Sequence, residues 1–243
     1  MLNRLKAAIG RRIASYLEKQ TTGYVTFAVV PQERLRAALR PGDVLLVEGD
    51  RRISAAIKYL THSTWSHSAM FMGDNQGDLI EADLTFGVRY VDLSHYAHLN
   101  VRICRPVGLT DEDLNCVLGF LRGAIGRTYD LKNVLDLLRF LLPQPPVPRR
   151  WRRRMLALGS GDPTRAICST LIAEAFSLVR YPILPDIRYA GAGLAAREIL
   201  HIRHHSLYTP RDFDLSPYFA VIKPTIEAGF DYRTMTWSLQ ARP

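Results

Sequence analysis

From Ser66 to Met72 the side chains alternate, with His67, Ala69 and Phe71 on one side and Ser68, Met70 and Met72 on the other. A period of two fits a pleated strand, whose successive side chains point to opposite faces. Asp74-Asn75-Gln76-Gly77 follows as a turn and Leu79-Ile80-Glu81-Ala82 as a returning strand, so the segment predicts a β-hairpin. That hairpin decides which residues can stand beside His67. If positions whose numbers sum to about 150 face one another, His67 lies opposite Asp83. Glu81 is then its diagonal neighbour on the same face, roughly 7–8 Å away but within side-chain reach. Either carboxylate could orient the imidazole; Glu81, on the more apolar part of the strand, is preferred, and Asp83 is the alternative.

The remaining pattern mixes strands and helices. Arg40-Pro41-Gly42-Asp43 reads as a turn that launches Val44-Leu45-Leu46-Val47, a short apolar run of the buried-strand kind. Residues 52–62 read as a short helix. Thr110-Asp111-Glu112-Asp113 is a capped helix start, with Leu114, Val117, Leu118, Leu121 and Ile125 at core-facing intervals. Another helix is expected near Asp130, a further one from Ile167 to Val179, and a final strand from Tyr218 to Ile222. There is no internal repeat.

A second segment, about a hundred residues after the hairpin, carries the chemistry: Ile167-Cys168-Ser169-Thr170-Leu171-Ile172 opens an apolar helix. Backbone N–H groups and the dipole at a helix start stabilise a thiolate, and an imidazole exchanges its proton near neutral pH. Cys168 and His67 together suggest a nucleophile with its base. Each also has a plainer reading, since cysteine is commonly a small buried hydrophobe and a histidine opening a strand is commonly a structural hydrogen bonder. Cys104 and Cys116 are placed in that plainer class. The hydroxyls of Ser66, Ser68, Ser169 and Thr170 favour chemistry for the pair, because a purely structural core has little use for them. His201, His204 and His205 are spaced like a metal face but have no neighbouring carboxylate or cysteine, and read as surface.

The 243 residues suit one domain with embellishments or two small ones, and 47% hydrophobic residues suffice for a core. Three cysteines without CxxC spacing favour neither a disulfide framework nor a cysteine-rich zinc site. No apolar run reaches the roughly 18 residues of a spanning helix, and residues 1–20 have no signal-peptide stretch. A soluble or peripheral cytoplasmic protein is the expectation. The net charge of +9 implies attraction to polyanions. Residues 1–19 alternate apolar and basic positions at helical spacing, an amphipathic helix. Arg149-Arg150-Trp151-Arg152-Arg153-Arg154 follows an apolar helix at 134–142 and a proline-rich linker. The second pattern fits an anionic membrane surface as well as it fits a core helix with a solvated loop. Nucleic acid is not expected, because no nucleic-acid-binding motif accompanies the charge.

The order Arg40-Pro41-Gly42-Asp43-Val44-Leu45-Leu46, Thr64-Trp65-Ser66-His67-Ser68-Ala69-Met70, Leu79-Ile80-Glu81-Ala82, Gly126-Arg127-Thr128-Tyr129-Asp130, Ile167-Cys168-Ser169-Thr170-Leu171-Ile172 and Tyr208-Thr209-Pro210-Arg211-Asp212-Phe213 resembles the permuted NlpC-type papain-like cysteine hydrolases. The YiiX-like group is the nearer part of that likeness, and lecithin-retinol acyltransferase a more distant one. The likeness covers about residues 35–222. It implies an α+β fold, an antiparallel sheet packed against helices, with the histidine strand preceding the cysteine helix. It implies Cys168 as nucleophile, His67 as base and Glu81 as third polar group; Tyr129, Ser169 and Asp83 are the candidate binding positions beside them. Residues 1–34 are then a basic helical extension, 130–160 an insertion and 223–243 a tail. The implied chemistry is cleavage of an amide or ester through an acyl-enzyme thioester, without metal or organic cofactor. The substrate is a small molecule, lipid or peptide, and the basic segments at 1–20 and 134–154 favour a lipid or acylated one at the inner membrane face. A peptidase or amidase acting on cell-wall-type peptides, and a catalytically silent membrane adaptor, are the alternatives.

Overall fold

The computed structural model describes residues 19–21, 24–26, 30–128 apart from 75, 84 and 85, then 167–190, 197–201, 208–229, 231 and 233. Residues 1–18, the helix expected near Asp130, the basic segment at 134–154 and the chain end after 233 lie outside them.

The fold is α+β. Strands β1 (Val44–Glu48), β2 (His67–Asp74), β3 (Gly77–Asp83), β4 (Gly87–Val91), β5 (Asn100–Pro106) and β8 (Phe219–Ile222) form an antiparallel sheet in the order β4-β3-β2-β1-β5-β8. A separate two-stranded sheet pairs β6 (Asp186–Ala190) with β7 (Arg197–His201). The helices are α1 (Gln32–Ala38), α2 (Arg52–Thr61), α3 (Asp111–Gly123), α4 (Ile167–Leu178), α5 (Pro210–Leu215) and α6 (Pro224–Glu227), with a 3₁₀ turn at Leu93–Tyr96.

The apolar run Val44–Val47 does not alternate because both faces of β1 are covered, and a strand buried on both faces has no solvent side. Val44 and Leu46 join Met70, Met72 and Ile80 in one core layer, filled from outside by α3 and α4. Leu45 and Val47 join Ala69, Phe71 and Leu79 in a second layer, closed by Leu35 and Leu39 and by Leu93 and Tyr96 of the 3₁₀ turn. α1 thus begins on the N-terminal side of the boundary expected after residue 34 and packs as part of the same body. The carboxamide of Gln20 also donates to Asp50 at 3.0 Å.

The hairpin pairs Ala69 with Glu81, Met70 with Ile80 and Phe71 with Leu79, which is the register assumed above, with position numbers summing to 150. It slips by one between Phe71 and Asp74. The slip coincides with Gly73 at φ +65°, a left-handed conformation that a bulge of this kind requires and that glycine adopts without strain. Thr110 caps α3 by accepting from the Asp113 N–H at 3.1 Å, and Val117, Leu118 and Leu121 face the core. Two expectations for this helix change. α3 ends at Gly123, so Ile125 lies beyond it and is largely exposed, while Ala124 is buried. Cys116 is exposed and not a buried hydrophobe, because it falls on the helix face opposite Val117, Leu118 and Leu121; Cys104 is buried. Among the described residues no helix is long and apolar enough to cross a membrane.

Candidate active site

His67 is the first residue of β2 and Cys168 the second of α4, so each sits where a regular element begins. α4 carries Leu171, Ile172, Ala175 and Phe176 into the first core layer and packs on β2, β3 and α3. Phe176 meets Phe219 edge to face at 5.4 Å between ring centroids. This burial fixes the helix with the Cys168 thiol close enough to the His67 ring and to Ser68 for both to favour its ionised form.

One short segment, Tyr208 to Asp214, holds both halves of the site. The Ser169 hydroxyl donates to the Tyr208 carbonyl at 2.7 Å, tying down the start of α4. Thr209 and Asp212 then form a capping box that starts α5. From α5, Asp214 accepts from the Trp65 indole at 3.0 Å and from Arg102, whose guanidinium lies 4.9 Å above the Trp65 ring. Arg211 donates to the Thr61 carbonyl at 3.0 Å. The Trp65-Ser66-His67 approach to β2 is therefore braced by the same segment that braces α4. Ser169→Ala is expected to cost about 1–2 kcal/mol by leaving the buried Tyr208 carbonyl without this donor. Denaturant unfolding measures it, and an unchanged midpoint would show the tie to be idle.

The other ring nitrogen is held by Glu81, which is 3% exposed. Its Oε2 lies 2.7 Å from His67 Nε2 and also accepts from the Tyr96 hydroxyl. Its Oε1 accepts from Arg89 Nε at 3.0 Å and Nη2 at 2.9 Å. With Nε2 so engaged, Nδ1 is the nitrogen left for the thiol. Burial alone would raise the Glu81 carboxyl, but hydrogen bonds and charge from His67, with Tyr96 and Arg89, hold it far below the usual carboxylate range. Burial likewise opposes a charged His67, yet Cys168 and Glu81 carry it well above 6.5. Burial pushes the Cys168 thiol up, and His67 and Ser68 outweigh it, so the thiol falls below 9. All three shifts favour a thiolate beside an imidazolium.

No family model matches the chain. The crystal structure of metalloprotein YiiX from Escherichia coli O157:H7 superposes with a TM-score of 0.48 at 15% identity, covering 76% of this chain and 97% of that one. A probable lipoprotein peptidase, YaeF of Escherichia coli (strain K12), is 22% identical over 205 residues, which are 77% of this chain and 72% of the relative.

The residues expected at the site are distributed as follows. Cys168, His67 and Glu81 come together. Ser169 points its hydroxyl into the interior, where it bonds Tyr208. Asp83 ends β3 and accepts from the Phe86 N–H at 2.9 Å, in the turn to β4. Tyr129, His204 and His205 lie outside the described residues, and His201 ends β7. Among the described residues no cluster of His, Cys, Asp and Glu could hold a metal ion. Arg89 and Tyr96 are absent from the sequence reading. Extending the meander by one strand beyond Asp83 brings Arg89 opposite Glu81, so the first had a signal. Tyr96 sits in a 3₁₀ turn with no period to reveal it.

Proposed function

We propose that this protein is a cysteine hydrolase that cleaves an amide or ester through an acyl-enzyme thioester. The observation that carries it is an imidazole held at Nε2 by a buried carboxylate, with a buried thiol beside it that the imidazole shifts toward the ionised form. The Cys168 proton resides on His67, and the thiolate attacks the substrate carbonyl carbon. The carbonyl π pair moves to oxygen, where backbone N–H groups at the start of α4 stabilise the oxyanion. The oxyanion collapses, the bond to the leaving amine or alcohol breaks, and His67 supplies its proton. Water then gives a proton to His67 while adding to the thioester, and the acid leaves as the thiolate re-forms. Glu81 holds the ring tautomer and balances the imidazolium throughout.

A hydrolase of the peptidase type is the coarse reading that the name of the relative, a probable lipoprotein peptidase, supports. That name favours an amide as the bond cleaved. The basic amphipathic pattern of residues 1–19 favours an acylated or lipid substrate at an anionic membrane surface. Flotation with anionic liposomes separates the two: the full chain is expected to float and the chain lacking residues 1–20 to stay behind. If truncation changes neither binding nor turnover, the substrate is a soluble peptide or amide.

Alkylation tests the hydrolase reading directly. Iodoacetamide at pH 6 is expected to label Cys168 far faster than Cys116 or Cys104, whose thiol burial pushes up to about 12. Mass spectrometry of Cys168 after exposure to cell extract is expected to show a trapped acyl adduct, whose mass names the acyl group. Equal labelling of all three cysteines would leave a silent adaptor in place of an enzyme.

A further inference from the structure

We propose that Arg89 is a positioning residue of this site: acting through Glu81, it keeps the Cys168–His67 pair ionised. The inference rests on the cysteine-hydrolase reading above. Arg89 lies on β4 directly across from Glu81 and places two guanidinium nitrogens on one carboxylate oxygen, leaving the other for His67 and Tyr96. Its cation also stacks 4.4 Å from the centroid of the exposed Phe86 ring, so its plane is fixed from two sides.

The charges explain why the arginine is needed. Thiolate, imidazolium, carboxylate and guanidinium alternate in sign along the chain of contacts and sum to zero. Tyr96 donates to Glu81 but brings no charge. From the elements around the pair, the titratable and charged groups facing it among the described residues are Glu81 on β3, Arg89 on β4 and Tyr96 in the 3₁₀ turn, with His95 edge-on to Tyr96 at 5.0 Å. α4 adds no acidic or basic residue in its first or last turn. Without the guanidinium, a buried cluster carries one uncompensated negative charge. The cheapest relief is a proton taken up by the thiolate, which returns Cys168 to the thiol, or by Glu81, which withdraws the counter-charge that helps hold the proton on His67; both weaken the ion pair.

The test is the rate of Cys168 alkylation by iodoacetamide from pH 5 to 10 in the full chain, with the thermal midpoint recorded for each variant. Arg89→Gln is expected to move the half-maximal pH up by about one unit or more, which is about tenfold slower labelling on the acid side. Arg89→Lys is expected to recover most of that shift, because it restores the charge. In the Glu81→Gln background, where no carboxylate charge needs balancing, adding Arg89→Gln is expected to move the midpoint by less than about 0.3 units. A lower thermal midpoint with an unmoved alkylation profile, or an equal shift in both backgrounds, overturns the role of Arg89 while leaving the hydrolase reading intact. A wild-type Cys168 no more reactive at pH 6 than Cys116 overturns both.

Discussion

Cys168→Ser is expected to lower kcat/KM by at least about a thousandfold on any amide or ester that the protein turns over, with the thermal midpoint moved by only a few degrees. The hydroxyl differs little in volume from the thiol, so the packing of α4 against Leu171, Ile172 and Phe176 survives. What is lost is acidity: His67 can hold the proton of a thiol but not that of an unassisted alcohol. The same pairing sets a pH window. The thiolate–imidazolium pair forms as pH rises through the Cys168 value, below 9, and is lost as pH rises through the His67 value, above 6.5. A bell-shaped profile with both limbs placed accordingly is the expected result. In His67→Ala, burial acts on the thiol with the imidazolium gone, and labelling at pH 6 is expected to fall by at least about a hundredfold. Full turnover by Cys168→Ser would remove the thiol from the mechanism.

Glu81→Ala is the second large change, and it strikes stability as well as chemistry. Its loss removes the carboxylate that His67 Nε2, the Tyr96 hydroxyl and Arg89 share, leaving Nε2 only the Tyr96 oxygen at 3.1 Å. Removing the buried partner costs about 3 kcal/mol, because His67 stays mostly desolvated while Arg89, 32% exposed, regains water. The pH dependence of that loss has a definite sign. The folded Glu81 value is depressed below the ordinary 4.5, so its contribution is fully present above 4.5 and lost as pH falls through the folded value. Denaturant unfolding of wild type and Glu81→Ala should therefore show a gap that grows as His67, raised partly by Glu81, takes up its proton on the way down to about pH 6, and that narrows once pH falls below about 4.5. A gap that goes on widening below pH 4.5 would mean that Glu81 is protonated in the folded protein. Turnover should fall with the gap at its full size, since the imidazole then has neither a fixed tautomer nor a counter-charge.

Local rules sufficed for the elements that begin and end within a few residues. Alternation across one turn showed which residues of β2 and β3 share a face, and the pairing assumed for the hairpin is the one observed, which brings His67 to Glu81. The Thr110 cap and the burial of Val117, Leu118 and Leu121 followed from helix spacing. Cys116, expected among the buried hydrophobes, is exposed; the same helix spacing sets it off the apolar stripe, so that expectation missed a signal that was present. Residues that serve the site from a distance were not legible. Asp214 reaches Trp65 across 149 positions, and Ser169 reaches Tyr208 across 39; no periodicity links such pairs. Tyr96 enters the site from a 3₁₀ turn that packs as part of the second core layer, where any apolar residue would have suited the pattern.

By itself the sequence determined which side chains share a face and where each element starts, because those depend on backbone periods of two and 3.6 residues and on caps a few residues long. It thereby set His67 at the head of a strand, Glu81 on the neighbouring one and Cys168 at the opening of a helix. Only the tertiary structure decided that the thiol reaches the ring and that Glu81 accepts from three donors at once. It alone decided that one segment, Tyr208 to Asp214, braces both halves. Those contacts join parts of the chain far apart in sequence. They are chosen by how two core layers close around the sheet, and burial then makes each charge depend on its partner.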